Sequence, residues 1–402
     1  MRILFLTETV PYPLDSGGRI KTYYTLQALS SVHEVHCHAF IRETAQAVAQ
    51  EPLQRVAASL TLHLVPRSVG REMLFAVKSL LTGAPYTVVR HFDPSVMRTL
   101  EAATREKRFD AVYCDHLSMM TYGLRLALPI LHDAHNVEHE IVRRFAGTAR
   151  GLRRIAAELE WRYVRRYEGR VYSRCSLIYA VSEVDARQIR AMGGPAPRIA
   201  VVPIAVDAQS PVPATPWRNG PEVLFVGALN WPPNRDAVQY LINEIWPLVL
   251  SRMPSARLTV VGRGALDSTS PNVTFTGWVE DVAPYFAAAR VLAVPIRSGS
   301  GLRVKILESL ARGVPVVATS VGMEGIAARS GEHLIVADDS QSFADGLVRT
   351  LQDDGLVRQL SIEGRCLAAE RYDRSVIARQ LLDTLRDVMG PGGRGDKCGQ
   401  RS

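Results

Sequence analysis

Residues 290–319 read RVLAVPIRSGSGLRVKILESLARGVPVVAT, and this stretch decides the fold. An apolar run, Val291 to Ile296, is followed by a Gly/Ser loop, an amphipathic segment and a second apolar run, Val314 to Ala318. That is strand, loop, helix, strand, the unit of an α/β sheet. The loop Ser298-Gly299-Ser300-Gly301 is expected to open the helix, so unpaired N–H groups and the positive end of the helix dipole point out of it. Such a terminus takes anions, and glycine lets a phosphate approach the backbone. Arg303 and Lys305 follow at once with formal charge. At about 100° per residue, Val304, Ile306, Leu307, Leu310 and Ala311 share one arc, and Lys305, Glu308, Ser309 and Arg312 the other. A carboxylate one turn past a phosphate-sized site, Glu308, could accept from the vicinal hydroxyls of a ribose. Gly313 then closes the helix. The plainer reading is a solvated face in which Lys305, Glu308 and Arg312 pair at i,i+3 and i,i+4. The anion site gains because the loop follows the carboxyl end of a strand, where open α/β sheets bind ligands.

At 402 residues the chain has room for two domains. Its 47% hydrophobic and 22% charged residues describe an ordinary globular protein. No apolar run reaches the roughly 18 residues of a membrane span, and MRILFLTETV reads as a first strand rather than a signal peptide. The five cysteines, Cys37, Cys114, Cys175, Cys366 and Cys398, are scattered and odd in number. Free thiols in a reducing cytoplasm are expected. A formal charge of +8 suits an acidic partner: a nucleoside diphosphate, an anionic bilayer or nucleic acid. Nucleic acid is disfavoured, because no aromatic-studded basic groove or binding motif accompanies the charge.

The chain opens with a strand (Arg2 to Thr7), a loop carrying Pro11, Pro13, Gly17 and Gly18, a helix (Arg19 to Leu29) and a strand (Val32 to Phe40). That is the start of a doubly wound sheet. Gly17-Gly18 before Arg19 is a second candidate anion loop. Helices are expected over Ala45 to Ser59, Glu72 to Thr82 and Pro94 to Lys107. Phe109 to Cys114 is a strand running into Asp115-His116, and Pro129 to Leu131 one running into His132-Asp133-Ala134-His135-Asn136-Val137-Glu138-His139. Both polar clusters therefore fall at the sheet's carboxyl edge, where a cleft would lie. His135-Asn136-Val137-Glu138-His139 also matches H-x-x-E-H, the spacing of a zinc peptidase helix, but no third ligand is identifiable. Polar residues capping a helix start are the structural alternative. A long arginine-loaded helix over 140–174 is expected to turn Ile155, Leu159, Tyr163 and Tyr167 to a core, and its basic face could lie on anionic lipid.

The proline-rich run Asp207 to Pro221 marks a linker. Beyond it the alternation restarts, with strands over Glu222 to Val226, Leu258 to Gly262, Val273 to Thr276 and His333 to Ala337, and a helix over Asp236 to Met253. The expected domains are 1–206 and 207–374, with a closing helix near 375–390 and a disordered Gly-rich tail, 391–402.

The run PIRSGSGLRVKILESLARGVPVVAT, with VSEVDARQIRAMG and VVPIAVD upstream, resembles the retaining glycosyltransferases of family 4 with the GT-B fold, nearest the branch that makes bacterial exopolysaccharides. The likeness spans Met1 to about Arg379. It implies two Rossmann-like domains facing across a cleft, the first holding the acceptor and the second a nucleoside-diphosphate-sugar. It also implies that the closing helix crosses back onto the first domain. Carried residue by residue, it places Arg303 and Lys305 on the diphosphate and Glu308 on the ribose. Gly299, Ser300, Gly301 and Leu302 would serve as amide donors, Gly227 as part of the donor loop, and Gly17, Gly18 and Arg19 near the acceptor. His116 would lie by the reacting sugar, or Asp115 if the alignment slips by one, with Asp133 and His135 as cleft candidates. Trp278 sits where the base would pack, a core tryptophan being the alternative.

Two departures stand out. The loop GALNWPPNRDAV lacks the arginine and lysine that usually grip the diphosphate, which throws that work onto Arg303 and Lys305. The usual pair of glutamates eight apart is reduced to Glu308, with Ser300 at the other position. A front-face reaction, in which the leaving diphosphate takes the acceptor's proton, tolerates that loss. It needs neither metal nor cofactor, since fixed cations and a helix terminus supply the charge. The expected partners are the nucleotide-sugar and a glycan, lipid-linked or small-molecule acceptor, with peripheral contact at the inner membrane face as an option. The rival readings are a catalytically silent nucleotide-sugar binder and, remotely, the zinc peptidase.

Overall fold

The computed structural model describes residues 1–390 apart from 44–50, 149, 193–197, 210–214, 265, 267–269 and 300. Part of the linker, Ser300 and the 391–402 tail therefore lie outside the described residues. Two compact units are present, one of 1–204 with the segment from Ile377, the other Ala205–Val376.

The first unit holds a seven-stranded parallel sheet in the order β3-β2-β1-β4-β5-β6-β7. Its strands are β1 (Arg2–Thr7), β2 (Glu34–Ile41), β3 (Ser59–Leu64), β4 (Ala111–Asp115), β5 (Ile130–Ala134), β6 (Leu177–Ala180) and β7 (Arg198–Val201). Strands β4, β5 and β6 are buried throughout, as a sheet covered on both faces requires, with the polar Asp115, His132 and Asp133 buried among the apolar residues. The chain steps outward from β1 to β3 and then returns to β4 on the other side of β1. The carboxyl ends of β1 and β4 therefore flank a switch point, the place where such sheets open a crevice. Gln380 Nε2 donates to the Val201 carbonyl (2.6 Å) and Tyr179 Oη to the Leu381 carbonyl (3.4 Å), tying the helix Arg374–Met389 to this sheet.

The second unit repeats the plan with six parallel strands in the order β10-β9-β8-β11-β12-β13. These are β8 (Glu222–Val226), β9 (Arg257–Val261), β10 (Val273–Gly277), β11 (Val291–Val294), β12 (Val316–Ala318) and β13 (Ile335–Val336). Its switch point lies between β8 and β11.

Several expectations need correction. Of the helix read over Ala45 to Ser59, 44–50 lie outside the described residues, Glu51–Gln54 are helical, and Ser59 already belongs to β3. The stretch 140–174 is two helices, Glu138–Thr148 and Leu152–Tyr172, parted at Gly151 with φ 57°. The second helix turns Ala157, Val164, Glu168 and Val171 inward and leaves Ile155 58% exposed. Of the expected stripe, Tyr167 packs against the core and Ile155 is left out of it. The helix read over Asp236 to Met253 is Pro232–Tyr240, a π turn at Leu241–Ile245, and Trp246–Arg252. Pro247 has no N–H for an i→i−4 bond, and the widened turn just before it accommodates that loss. The Gly/Ser loop does not open its helix directly, because that helix is Val304–Ala311 with Arg303 as N-cap. Among the described residues no helix is long and apolar enough to cross a membrane. The described cysteines Cys37, Cys114, Cys175 and Cys366 are free thiols.

Candidate functional site

In the second unit the loops leaving β8 and β9 are pressed backbone to backbone. Gly227 N donates to the Val261 carbonyl at 2.8 Å. A Cβ on Gly262 would stand 2.2 Å from the Gly227 oxygen, and a Cβ on Gly227 2.7 Å from Lys305 Nζ and 2.8 Å from Asn234 Nδ2. Facing backbone, Gly262 admits no side chain, and at Gly227 a Cβ would have to displace the Lys305 ammonium and the Asn234 amide. Into this space the helix Val304–Ala311 sends Lys305. Its ammonium donates to Asn234 Oδ1 at 2.9 Å and lies 4.4 Å from the centre of the Phe225 ring. Asn234 is itself fixed by donating to the Ala228 carbonyl at 3.0 Å.

Burial lowers the Lys305 pKa to about 7, and the neighbouring Arg303 adds to the fall against the opposing Glu308. No carboxylate of the described residues lies within ion-pair distance of that ammonium, so an arriving anion would find a cation partly withdrawn from water and without a carboxylate partner. Glu308, one turn on, has its pKa raised by burial, with Arg312 and Lys305 opposing. Gly299 and Gly301 hold left-handed backbone at φ 109° and 80°, and the Arg303 guanidinium folds back to donate to the Gly301 carbonyl. Leu302 is buried. Trp278 is 56% exposed, which excludes the core reading, and the Arg263 guanidinium lies 5.7 Å from its ring centre.

In the first unit Asp115 is the hub. Its fully buried carboxylate accepts from Thr7 Oγ1 (2.8 Å) and Thr22 Oγ1 (2.9 Å), and meets His116 Nδ1 (2.9 Å) and His135 Nε2 (2.7 Å). The two imidazoles lie 3.8 Å apart, centre to centre. Asp133 is bound by Lys21 Nζ at 2.9 Å and by the Tyr113 hydroxyl at 2.9 Å. Gly18, at the start of the helix Gly17–Ser30, comes within reach of His116 Nε2: a Cβ there would be 3.9 Å away. Arg19 instead pairs with Asp15 at 2.8 Å.

Burial opposes the His116 imidazolium, but Asp115 and Glu8 outweigh it and raise the pKa to about 10. Against burial, His116 and His135 hold Asp115 well below the carboxylate range, and against burial His116, His91 and the Ser118 hydroxyl bring Glu8 to about 2. His135 goes the other way, lowered by burial and by the His116 charge. At neutral pH His116 is thus a cation and a hydrogen-bond donor. Its backbone, φ 77° and ψ 153°, is one that non-glycine residues avoid at a cost of about 1–3 kcal/mol.

The H-x-x-E-H pattern does not make one helical face. His135 precedes the helix Glu138–Thr148 and pairs with Asp115, while His139 Nδ1 meets Glu168 at 2.6 Å. Glu168 also accepts from Glu138 N (2.8 Å), capping that helix. Among the described residues one trio, Asp115, His116 and His135, brings metal-capable atoms within 4.8 Å of one another. Its carboxylate is already occupied by two hydroxyls and two imidazoles, an arrangement that stores charge rather than awaiting an ion. Asn234, Glu8, Lys21 and Thr22 are site neighbours that the sequence reading missed. Each makes its contact across a distance in sequence, 71 residues for Asn234 with Lys305, with no local pattern to reveal it.

Comparison with known proteins gives two family matches, "Glycosyltransferase Family 4" over residues 22–210 and "Glycosyl transferases group 1" over residues 220–353. A phosphatidyl-myo-inositol mannosyltransferase of Mycobacterium tuberculosis is 30% identical over 235 residues, 54% of this chain. The match spans 60% of that relative's length. Among solved structures, a sucrose-phosphate synthase from Thermosynechococcus elongatus superposes with a TM-score of 0.71 at 17% identity, covering 96% of this chain and 99% of the other. HepE of Anabaena in complex with UDP-glucose gives 0.67 at 16% identity, covering 96% and 100%.

Proposed function

The chain belongs to the family 4 glycosyltransferases with the GT-B fold, and from that premise we propose that it moves a sugar from a nucleoside diphosphate to a hydroxyl acceptor with retained configuration. The observation that carries this is Lys305, a partly buried ammonium with no carboxylate partner among the described residues, aimed into a glycine-walled loop at the switch point of the second unit. In this reading the diphosphate replaces Asn234 as its partner and Arg303 assists. Glu308 takes the ribose hydroxyls, and Trp278 with Arg263 offers an exposed face to the base. Amides of Gly299 to Leu302 address the transferred sugar, with Ser300 in place of a second glutamate. In the first unit His116, held cationic by Asp115, donates toward the reacting sugar. Gly17 and Gly18 leave room for the acceptor.

As the bond to the anomeric carbon breaks, negative charge gathers on the leaving phosphate, and fixed cations there stabilise the transition state more than the ground state. The leaving phosphate takes the acceptor's proton as the acceptor oxygen closes on the same face. Neither metal nor cofactor has a role, because the cations are built in and the Asp115 oxygens are taken. Free thiols, the exposed Cys366 among them, fit a cytoplasmic setting.

The test is release of nucleoside diphosphate from UDP-, GDP-, dTDP- and ADP-sugars with and without glycan acceptors. Turnover is expected with one donor class; binding without turnover would favour a silent nucleotide-sugar receptor. The pH dependence has a definite sign. A bound diphosphate holds Lys305 protonated, so donor affinity is full below pH 7 and falls by up to about tenfold per pH unit above it. Calorimetry at pH 8 would show proton uptake on binding.

A further inference from the structure

The helix Val69–Thr82 is inside out. At about 100° per residue its Val69, Met73, Leu74, Val77, Leu80 and Leu81 share an arc of about 140°, and each is between 52% and 82% exposed. The buried residue on the other side is Ser79, a serine. Contiguous apolar surface of this kind marks a docking site.

The helix Leu152–Tyr172 borders it. A Cβ on Gly83, which ends the first helix, would stand 3.8 Å from the Tyr163 ring, and Glu160 accepts from Tyr86 N and Thr87 N at 3.0 Å each. The outward arc of this second helix begins with Leu152 (85% exposed) and Ile155 and continues with Arg162, Arg166 and Arg170. From Leu152 to Arg170 the row runs about 27 Å. Among the described residues none of the three arginines has an ion-pair partner.

We infer that this face docks on an anionic lipid bilayer, the apolar arc of Val69–Thr82 and the Leu152–Ile155 tip entering the headgroup boundary and the arginine row meeting lipid phosphates. The charge selects the occupant. A second copy joined about a two-fold axis would set like faces together and oppose arginine to arginine, whereas an anionic surface supplies the missing countercharge. The inference rests on the proposed function only for its purpose, since a transferase held at the bilayer would meet a lipid-linked acceptor.

Sedimentation of the full chain with phosphatidylcholine vesicles, with and without phosphatidylglycerol, tests it. Binding at least about tenfold stronger to the anionic vesicles is expected, falling with salt. Leu74→Asp with Leu81→Asp, both at exposed sites, should lower it at least about tenfold. Arg162→Gln, Arg166→Gln and Arg170→Gln should each lower it about fivefold on anionic vesicles and leave neutral ones unchanged. Stabilisation by a nucleoside diphosphate should survive in all of them, which separates this test from that of the donor site. Equal sedimentation with both vesicle types would overturn the inference. So would leucine variants that bind undiminished, or a dimer in solution that they dissociate.

Discussion

Lys305→Ala is expected to slow sugar transfer by about 10²–10³-fold, the loss that follows removal of one preorganised charge at a leaving group. Stability should not fall with it. Burial holds Lys305 near pH 7, well below an ordinary lysine, so the folded state bears a desolvation cost that alanine removes. The melting temperature should be equal or higher. Activity and stability moving apart in this way is the mark of a residue kept for function. Steady-state transfer and a melting curve on one preparation check both halves. Undiminished turnover would remove Lys305 from the diphosphate site.

The second large effect concerns Asp115. Asp115→Asn keeps the size of the hub but removes the charge that holds the His116 proton. The wild-type imidazolium is present below its pKa of about 10 and is lost as pH rises through it. Transfer at saturating donor should therefore hold from neutral pH up to about 10. In Asp115→Asn the fall should move toward neutrality, with a loss of about 10–10²-fold at pH 8. A purely structural Asp115 would lower the melting temperature and leave the shape of the pH profile alone. The profile is the deciding readout.

Much of the fold was legible because it rests on local pattern. Apolar runs too short for helices, separated by helical periodicity, define a parallel sheet, and two strands ending in Asp115-His116 and in Asp133-Ala134-His135 must bring those residues to one edge. What periodicity does not carry is direction. Ile155 heads a helical stripe whose last member, Tyr167, packs against the core, yet Ile155 itself is left exposed, while Glu168 is drawn in to cap Glu138–Thr148. The same blindness hid the inverted face of Val69–Thr82. Contacts between distant loops were illegible for another reason. The pairing of Asn234 with Lys305 exists only once Gly227 and Gly262 bring β8 and β9 together. Glu8 joins His116 only because β1 and β4 are neighbours in the sheet.

The central claim is that the second unit binds a nucleoside diphosphate through Lys305 and its ribose through Glu308. The most direct measurement is a thermal-shift screen of the wild type and Glu308→Ala against UDP-, GDP-, dTDP- and ADP-sugars and their bare diphosphates. A donor at a hundred times its dissociation constant should add about 2.7 kcal/mol of stability. A shift selective for one base, with affinity about 30-fold weaker once the charged hydrogen bonds of Glu308 are gone, is the predicted result. No shift with any nucleotide, or a full shift retained in Glu308→Ala, would contradict it.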